Sequence, residues 1–183
     1  MSTSPEVAAK QAGREFKRIV YSEEEIQDRV AEMARDITDA YEPGDEILVL
    51  GLLKGSFIFM ADLVRSIHHP LQLDFLVASS YGNATESSGE VRLLYDPEAS
   101  LEGRSVILVE DIIDSGTTLN RLIPLLEARG PKSLEVCALL HKRVATLDRE
   151  VRWVGFDAPL EFLVGYGLDY SENYRHLPFI GSI

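Results

Sequence analysis

The chain has 183 residues, 45% of them apolar and 26% charged, a balance that suits one soluble domain with a full-sized core. Its formal net charge of −12 argues against broad binding to DNA or RNA, which needs a positive field. No apolar run approaches the roughly 20 residues of a membrane span, and the lone Cys137 rules out an internal disulfide framework and fits a reducing, cytoplasmic setting.

Residues 1–15 are expected to form a poorly ordered tail, since the small, polar start of the chain has no apolar segment of a signal peptide. Residues 16–183 then read as a single domain. Ser22-Glu23-Glu24-Glu25 has the pattern of a capping box, and Ile26, Val30, Met33 and Ile37 recur at helical spacing behind it. Pro43-Gly44-Asp45 marks a turn. A short buried strand is predicted over Ile47–Leu50, closed by Gly51, and a helix over Ser56–Ile67. Leu71, Leu73, Phe75 and Val77 alternate as one face of a half-buried strand would. Ser79–Glu90 has the composition of a mobile loop, and Val91–Tyr95 reads as the returning arm of a long hairpin. Val106–Val109 is the clearest core strand. A helix is predicted near Thr117–Ala128, with Pro124 expected to kink it or remove a bond, and Leu134–Leu140 is a further strand. The last third, from Trp153 to Tyr174, is rich in glycine and aromatics. Strands alternating with helices imply an α/β fold with a mainly parallel, twisted sheet flanked by helices, and ligands of such sheets bind at the carboxyl ends of the strands.

The most informative segment is Val109-Glu110-Asp111-Ile112-Ile113-Asp114-Ser115-Gly116-Thr117-Thr118. Acidic side chains stand at the carboxyl end of a buried strand, and a turn rich in glycine and hydroxyls opens a helix. Backbone N–H groups and the helix dipole there suit one phosphate, and Ser115, Thr117 and Thr118 add hydroxyl donors. The carboxylates suit sugar hydroxyls, a hard metal ion or a proton. The site therefore asks for a ligand with phosphate and polyol parts. The blander reading is an acidic N-cap, Asp114, ahead of a Ser/Thr-rich first turn. The ending Gly-Lys-Ser/Thr of a Walker loop is missing. Helix N-termini, a few placed cations and a bound metal can overcome the global repulsion between an acidic chain and an acidic ligand.

This segment resembles the phosphoribosyl pyrophosphate signature of type I phosphoribosyltransferases, and its Glu-Asp-Ile-Ile-Asp-Ser-Gly form resembles the hypoxanthine-guanine branch. Leu53-Lys54-Gly55, Ser80-Tyr81-Gly82, Leu140-His141-Lys142-Arg143 and Phe162–Tyr170, with Arg175 beyond, follow the family's order and spacing. The resemblance spans roughly Lys17 to Ile183. It implies a small hood carrying the purine-binding segment, magnesium as cofactor, a homodimer or homotetramer, and no nucleic-acid or membrane partner. It implies that Ser115, Gly116, Thr117 and Thr118 hold the sugar 5-phosphate and that Glu110 and Asp111 lie by the ribose hydroxyls. Asp114 would face N7 of the purine as general base. Lys54-Gly55, in a loop that often holds a non-proline cis peptide, and Arg175 would contact pyrophosphate. Lys142 would donate to O6 of the base, Phe162 would stack on it, and Leu163 would contribute its backbone. Glu110, Asp111 and Asp169 would serve magnesium, and Ser80-Tyr81 would begin a lid that excludes water from an oxocarbenium-like transition state. Thr118 and Pro124 vary the downstream part of the pattern, and Asn83-Ala84 vary the lid.

Two alternatives remain at this level: a regulator that senses phosphoribosyl pyrophosphate and binds nucleic acid, and a same-fold enzyme using xanthine, adenine or a pyrimidine. Lys142 and Phe162 favour a 6-oxopurine. Cys137 and Trp153 read as packing residues, and His68, His69, His141 and His176 as structural or solvent-facing, with no metal-ligand pattern.

Overall fold

A computed structural model describes residues 17–80 and 91–183. The expected tail, Tyr81 and Asn83-Ala84 of the expected lid lie outside the described residues, as does the side chain of Ser80.

In chain order the elements are β1 (Arg18–Tyr21), α1 (Glu23–Asp39), β2 (Ile47–Leu53), α2 (Phe57–Ser66), β3 (Leu71–Ser80), β4 (Val91–Tyr95), β5 (Ser105–Ile113), α3 (Thr117–Glu127), β6 (Ser133–Lys142), β7 (Trp153–Ala158), β8 (Leu163–Val164) and β9 (Ile180–Ser182). The capping box forms: Ser22 Oγ accepts from Glu25 N–H, and Glu25 Oε2 accepts from Ser22 N–H at 2.8 Å. With Glu23, Glu24 and Glu25 in its first turn, α1 also places negative charge at the positive end of its dipole.

The main sheet has six strands in the order β4-β3-β2-β5-β6-β7. Only β4 runs antiparallel, as the return of the β3 hairpin; the other neighbours are parallel. Side chains alternate across the sheet, so each central strand feeds two cores. Ile47, Val49, Ile107, Val109, Cys137 and Leu139 meet Ile26, Met33, Ile37 and Phe59 of α1 and α2 on one face. Leu48, Leu50, Val106, Leu108 and Val136 meet Leu119, Leu122 and Leu126 of α3 on the other. Burying each such side chain is worth about 1.5–3 kcal/mol, which is why the apolar runs at β2 and β5 specify central strands. Trp153 packs in the first core with the Arg152 guanidinium 4.7 Å above its ring, and Cys137 is fully buried, which pushes its thiol pKa up.

Some expectations need correction and others hold. Gly51 does not close β2; the strand passes through it to Leu53, and the missing side chain makes room for Met60. The alternation over Leu71–Val77 forms a half-buried face, with Leu71 and Phe75 against the α1–α2 core; within it Leu73 is 50% exposed, and Leu76 on the opposite face is fully buried in the α3 core. The strand at Val106–Val109 extends through the acidic residues to Ile113, since β6 keeps pairing with it as far as His141. Pro124 lies within α3 and, having no N–H, removes one helical bond as expected, while the helix continues to Glu127 with Ala128 N–H donating to Pro124 C=O.

A second, three-stranded antiparallel sheet, β1-β9-β8, forms a hood from the two ends of the described chain. Lys17 Nζ donates to Ile183 C=O at 3.0 Å, and the Arg18 guanidinium pairs with Glu161. Strand β1 had no signal in the sequence reading.

The sheet order places the site. From β2 the chain moves outward to β3 and β4, then returns to the other side of β2 to lay down β5, β6 and β7. A crevice therefore opens between the carboxyl ends of β2 and β5, the usual ligand position in such sheets. β2 pairs with β5 only as far as Val109, so residues 110–113 are paired on the β6 side alone, and Asp111 meets the loop that follows β2.

Candidate active site

Four segments meet at this crevice. The first is the turn between β5 and α3. Gly116 is the N-cap of α3 with φ 82° and has no side chain to cap the helix, whose first turn borders an open cleft of about 90 Å³ lined by Glu110 and 112–119. The left-handed φ suits glycine, and a methyl there would also strike Thr146 C=O. Ser115 Oγ accepts from Thr117 N–H and donates to Thr117 Oγ1 at 3.0 Å, so the hydroxyls converge. The acidic N-cap reading of Asp114 is overturned: its side chain is 68% exposed and Oδ1 lies 2.9 Å from Lys142 Nζ.

The segment after β6 backs this turn. Asn120 Nδ2 donates to Thr146 C=O at 2.8 Å, Asp148 N–H donates to Asn120 Oδ1, and Thr146 N–H donates to Ser115 C=O. The residues that follow Lys142 are thereby tied to the turn at 115–118. Sequence reasoning missed Asn120, which carries no motif of its own.

The second segment is the loop after β2. The Leu53–Lys54 peptide is cis. Ser56 Oγ is buried and donates to Leu52 C=O at 2.6 Å, which ties the loop to its own strand. A methyl on Gly55 would occupy the place of the Asp111 carboxylate, so Asp111 packs directly on the loop backbone. Successive strand residues point to opposite faces, which separates Glu110 from Asp111.

These two acids are electrostatically unlike ordinary surface carboxylates. Glu110 Oε2 is enclosed with no hydrogen-bond partner, and burial, followed by the neighbouring Asp111, pushes its carboxyl pKa well above the usual range. Burial raises Asp111 to about 6; backbone N–H groups and Arg175 act against that shift, and Asp169 adds to it. An enclosed acceptor without a donor calls for a hydroxyl or a cation from a ligand.

The third segment is the hood end, residues 162–175. Phe162 is 53% exposed and meets Tyr170 edge-on, with ring centroids 5.6 Å apart. Leu163 is buried and pairs with Ser182. Arg175 Nη2 lies 2.8 Å from Asp169 Oδ1 and 3.4 Å from Glu172 Oε2, and Nη1 donates to Gly167 C=O at 2.8 Å. Its Nε is enclosed without a partner. Lys54 Nζ also reaches Glu172, at 3.2 Å. Glu172 was absent from the sequence reading, although its place three residues before Arg175 was a usable signal. In the described residues, the three candidate cations of the site, Lys54, Lys142 and Arg175, each hold a carboxylate.

The fourth segment is Lys142 itself, at the end of β6 with a side chain only 12% exposed. His141 beside it turns into the protein, with Nε2 enclosed and unpartnered. His69 is structural, its ring nitrogens meeting Pro70 and Glu42 carbonyls. Among the described residues no cluster of His, Cys, Asp and Glu forms a ready metal cage, and no helix is long and apolar enough to cross a membrane. A larger cavity of about 370 Å³, lined by Asp45, Glu46, Gln72 and Arg104, lies at the amino ends of the strands, away from this chemistry.

Residues 19–171 match the family model of the phosphoribosyl transferase domain. The hypoxanthine-guanine phosphoribosyltransferase of Dictyostelium discoideum is 46% identical over 171 residues, covering 91% of this chain and 95% of that protein. The hypoxanthine phosphoribosyltransferase of Salmonella typhimurium is 46% identical over 167 residues, covering 90% and 94%. The crystal structure of a hypoxanthine-guanine phosphoribosyltransferase from Bacillus anthracis superposes with a TM-score of 0.87 at 48% identity, over 92% of this chain and 99% of that one. With the glycine- and hydroxyl-rich turn, the paired Lys142 and Asp114 and the hood assembled on this sheet, the chain belongs to the phosphoribosyltransferase family, in its hypoxanthine-guanine branch.

Proposed function

We propose that the protein transfers the phosphoribosyl group of 5-phospho-α-D-ribose 1-diphosphate to hypoxanthine or guanine, forming IMP or GMP and releasing pyrophosphate, as an enzyme of purine salvage. The observation that carries this reading is the Lys142–Asp114 pair, 2.9 Å apart beside the phosphate turn. A lysine donor and a carboxylate acceptor held side by side match two adjacent positions on a 6-oxopurine, the O6 acceptor and N7 with its proton.

The residues divide the work by chemistry. Ser115, Gly116, Thr117 and Thr118 hold the 5-phosphate at the uncapped start of α3. Glu110 and Asp111 accept from the ribose hydroxyls, which supplies the donor that Glu110 Oε2 lacks. Lys54, the Gly55 backbone and Arg175 take the pyrophosphate, displacing Glu172 and Asp169 from the two cations. Phe162 stacks on the purine, Leu163 presents its backbone to it, and Lys142 fixes O6. As the bond between ribose and base forms, Asp114 accepts the proton from N7. Ser80 and Tyr81 begin the segment that closes over the sugar and keeps water from the electrophilic carbon.

The acidic side chains fit a magnesium ion held mostly by substrate oxygens: Asp111 and Asp169 influence each other's charge across the crevice, while no cage of three protein ligands exists among the described residues. When bound, magnesium neutralises pyrophosphate and improves it as a leaving group. The lone reduced Cys137 suits the cytoplasm, and exposed Leu73, Leu94 and Tyr95 on β3 and β4 supply apolar surface for a dimer or tetramer. The alternative of a nucleic-acid-binding regulator draws no support from the relatives.

The test is a panel of bases with phosphoribosyl pyrophosphate and magnesium, following nucleotide and pyrophosphate together. Hypoxanthine and guanine should give equal amounts of both products, and adenine little of either. Absence of pyrophosphate release with every base would refute the activity.

A further inference from the structure

One part-buried polar contact adjoins the site without belonging to any group assigned above. Tyr166 Oη donates to Asp62 Oδ2 at 2.6 Å, joining the hood segment to α2 across 104 residues of sequence. Tyr166 is 5% exposed, and burial, then the Asp62 carboxylate, drives its pKa far above that of a free tyrosine. Its backbone is left-handed, with φ 49°, between Gly165 and Gly167, which are also left-handed. A bulky residue keeps that conformation only where its surroundings hold it.

The surroundings are the two walls of the pyrophosphate region. Gly167 rests so closely on Gly55 C=O that a methyl would not fit. Gly167 N–H donates to Arg175 C=O at 3.0 Å, and Gly167 C=O accepts from Arg175 Nη1. Asp62 stands in α2, the helix that starts directly after the Lys54-Gly55 loop and is joined to it by Phe57 N–H donating to Lys54 C=O. The hood turn therefore touches the loop-helix unit at two places, through its backbone at Gly167 and through its side chain at Tyr166.

We propose that the Tyr166–Asp62 hydrogen bond is a positioning latch: it seats the 165–167 turn against the Lys54-Gly55 loop and so sets the spacing between that loop and Arg175, the two walls that grip pyrophosphate. Tyr166 and Asp62 touch no substrate. They act through Gly167 on the pyrophosphate side, while Lys142 and Asp114, which meet the base, stand on β6 and after β5. This rests on the assignment of Lys54, Gly55 and Arg175 to pyrophosphate.

The experiment measures the dissociation constant of inorganic pyrophosphate with magnesium by calorimetry, and KM separately for phosphoribosyl pyrophosphate and hypoxanthine, in full-length Tyr166→Phe, Asp62→Leu and Asp62→Asn. Loss of a part-buried bond to a carboxylate should weaken pyrophosphate about tenfold in Tyr166→Phe and Asp62→Leu, with a parallel rise in KM for phosphoribosyl pyrophosphate and less than about twofold change for hypoxanthine. The double variant should match either single one. Asp62→Asn keeps an acceptor and should hold pyrophosphate within about threefold of wild type. Arg65→Gln removes only an exposed partner of Asp62 and should change nothing. Unchanged pyrophosphate binding in Tyr166→Phe, or equal losses for both substrates, would overturn the latch. A wild-type protein that neither binds magnesium pyrophosphate nor turns over overturns instead the activity on which it rests.

Discussion

Lys142→Ala tests the proposed donor to the base. The lysine side chain is 12% exposed, so its ammonium makes its hydrogen bonds largely out of water. A hydrogen bond from a charged donor contributes about 1.5–3 kcal/mol, which at about 1.36 kcal/mol per decade is a loss of roughly 10- to 150-fold in kcat/KM for hypoxanthine. Adenine responds differently. Its 6-amino hydrogens face an ammonium that has only donors, so the lysine gains no acceptor from this base beyond Asp114 and the wild-type protein should reject adenine by roughly 10⁴–10⁵-fold. Removing the ammonium removes that penalty. Hypoxanthine efficiency should fall, adenine efficiency should hold or rise, and their ratio should shrink by at least the hypoxanthine loss. The assay is initial-rate nucleotide formation with each base at saturating phosphoribosyl pyrophosphate. Comparable wild-type efficiency on adenine, or an unchanged ratio in the variant, would refute the role of Lys142.

The other predictions concern the acids. Asp114→Asn should lower turnover by about 10²–10⁴-fold while binding of phosphoribosyl pyrophosphate largely survives; single-turnover rates near wild type would remove Asp114 as general base. Thorough chelation should abolish turnover and magnesium alone should restore it, as single-turnover measurement before and after metal addition will show. Asp111→Asn should stabilise the ligand-free protein at high pH. The folded carboxyl sits at about 6 rather than 3.8, so the folded state binds more protons and stability falls as pH rises through that window. The variant should therefore gain up to about 3 kcal/mol at pH 8 and nothing at pH 4; an equal change in Tm at both pH values would contradict the buried-charge account.

Much of the chain was legible because its signals are local. The capping box at Ser22–Glu25, the helical spacing of Ile26, Val30, Met33 and Ile37, and the apolar runs of β2 and β5 each act within a turn or a strand, and each formed. The exposure of Leu73 and the full burial of Leu76 were not legible, because alternation says that two faces differ, not how far a neighbouring layer reaches over each. The acids of β5 were placed after the strand because its length depends on β6, a partner more than twenty residues away.

By itself the sequence determined the α/β class and the glycine- and hydroxyl-rich turn at residues 115–118 that opens a helix, since motif chemistry and order survive without coordinates. Only the tertiary structure decided which groups are charged, paired or enclosed. Asp114 faces Lys142, Lys54 faces Glu172, Glu110 Oε2 is left without a donor, and Tyr166 fastens the hood to α2. The physical reason is that desolvation and pairing are set by whatever packs within a few ångströms. Here those neighbours come from strands and turns separated by tens to more than a hundred residues, a distance over which a local pattern carries no information.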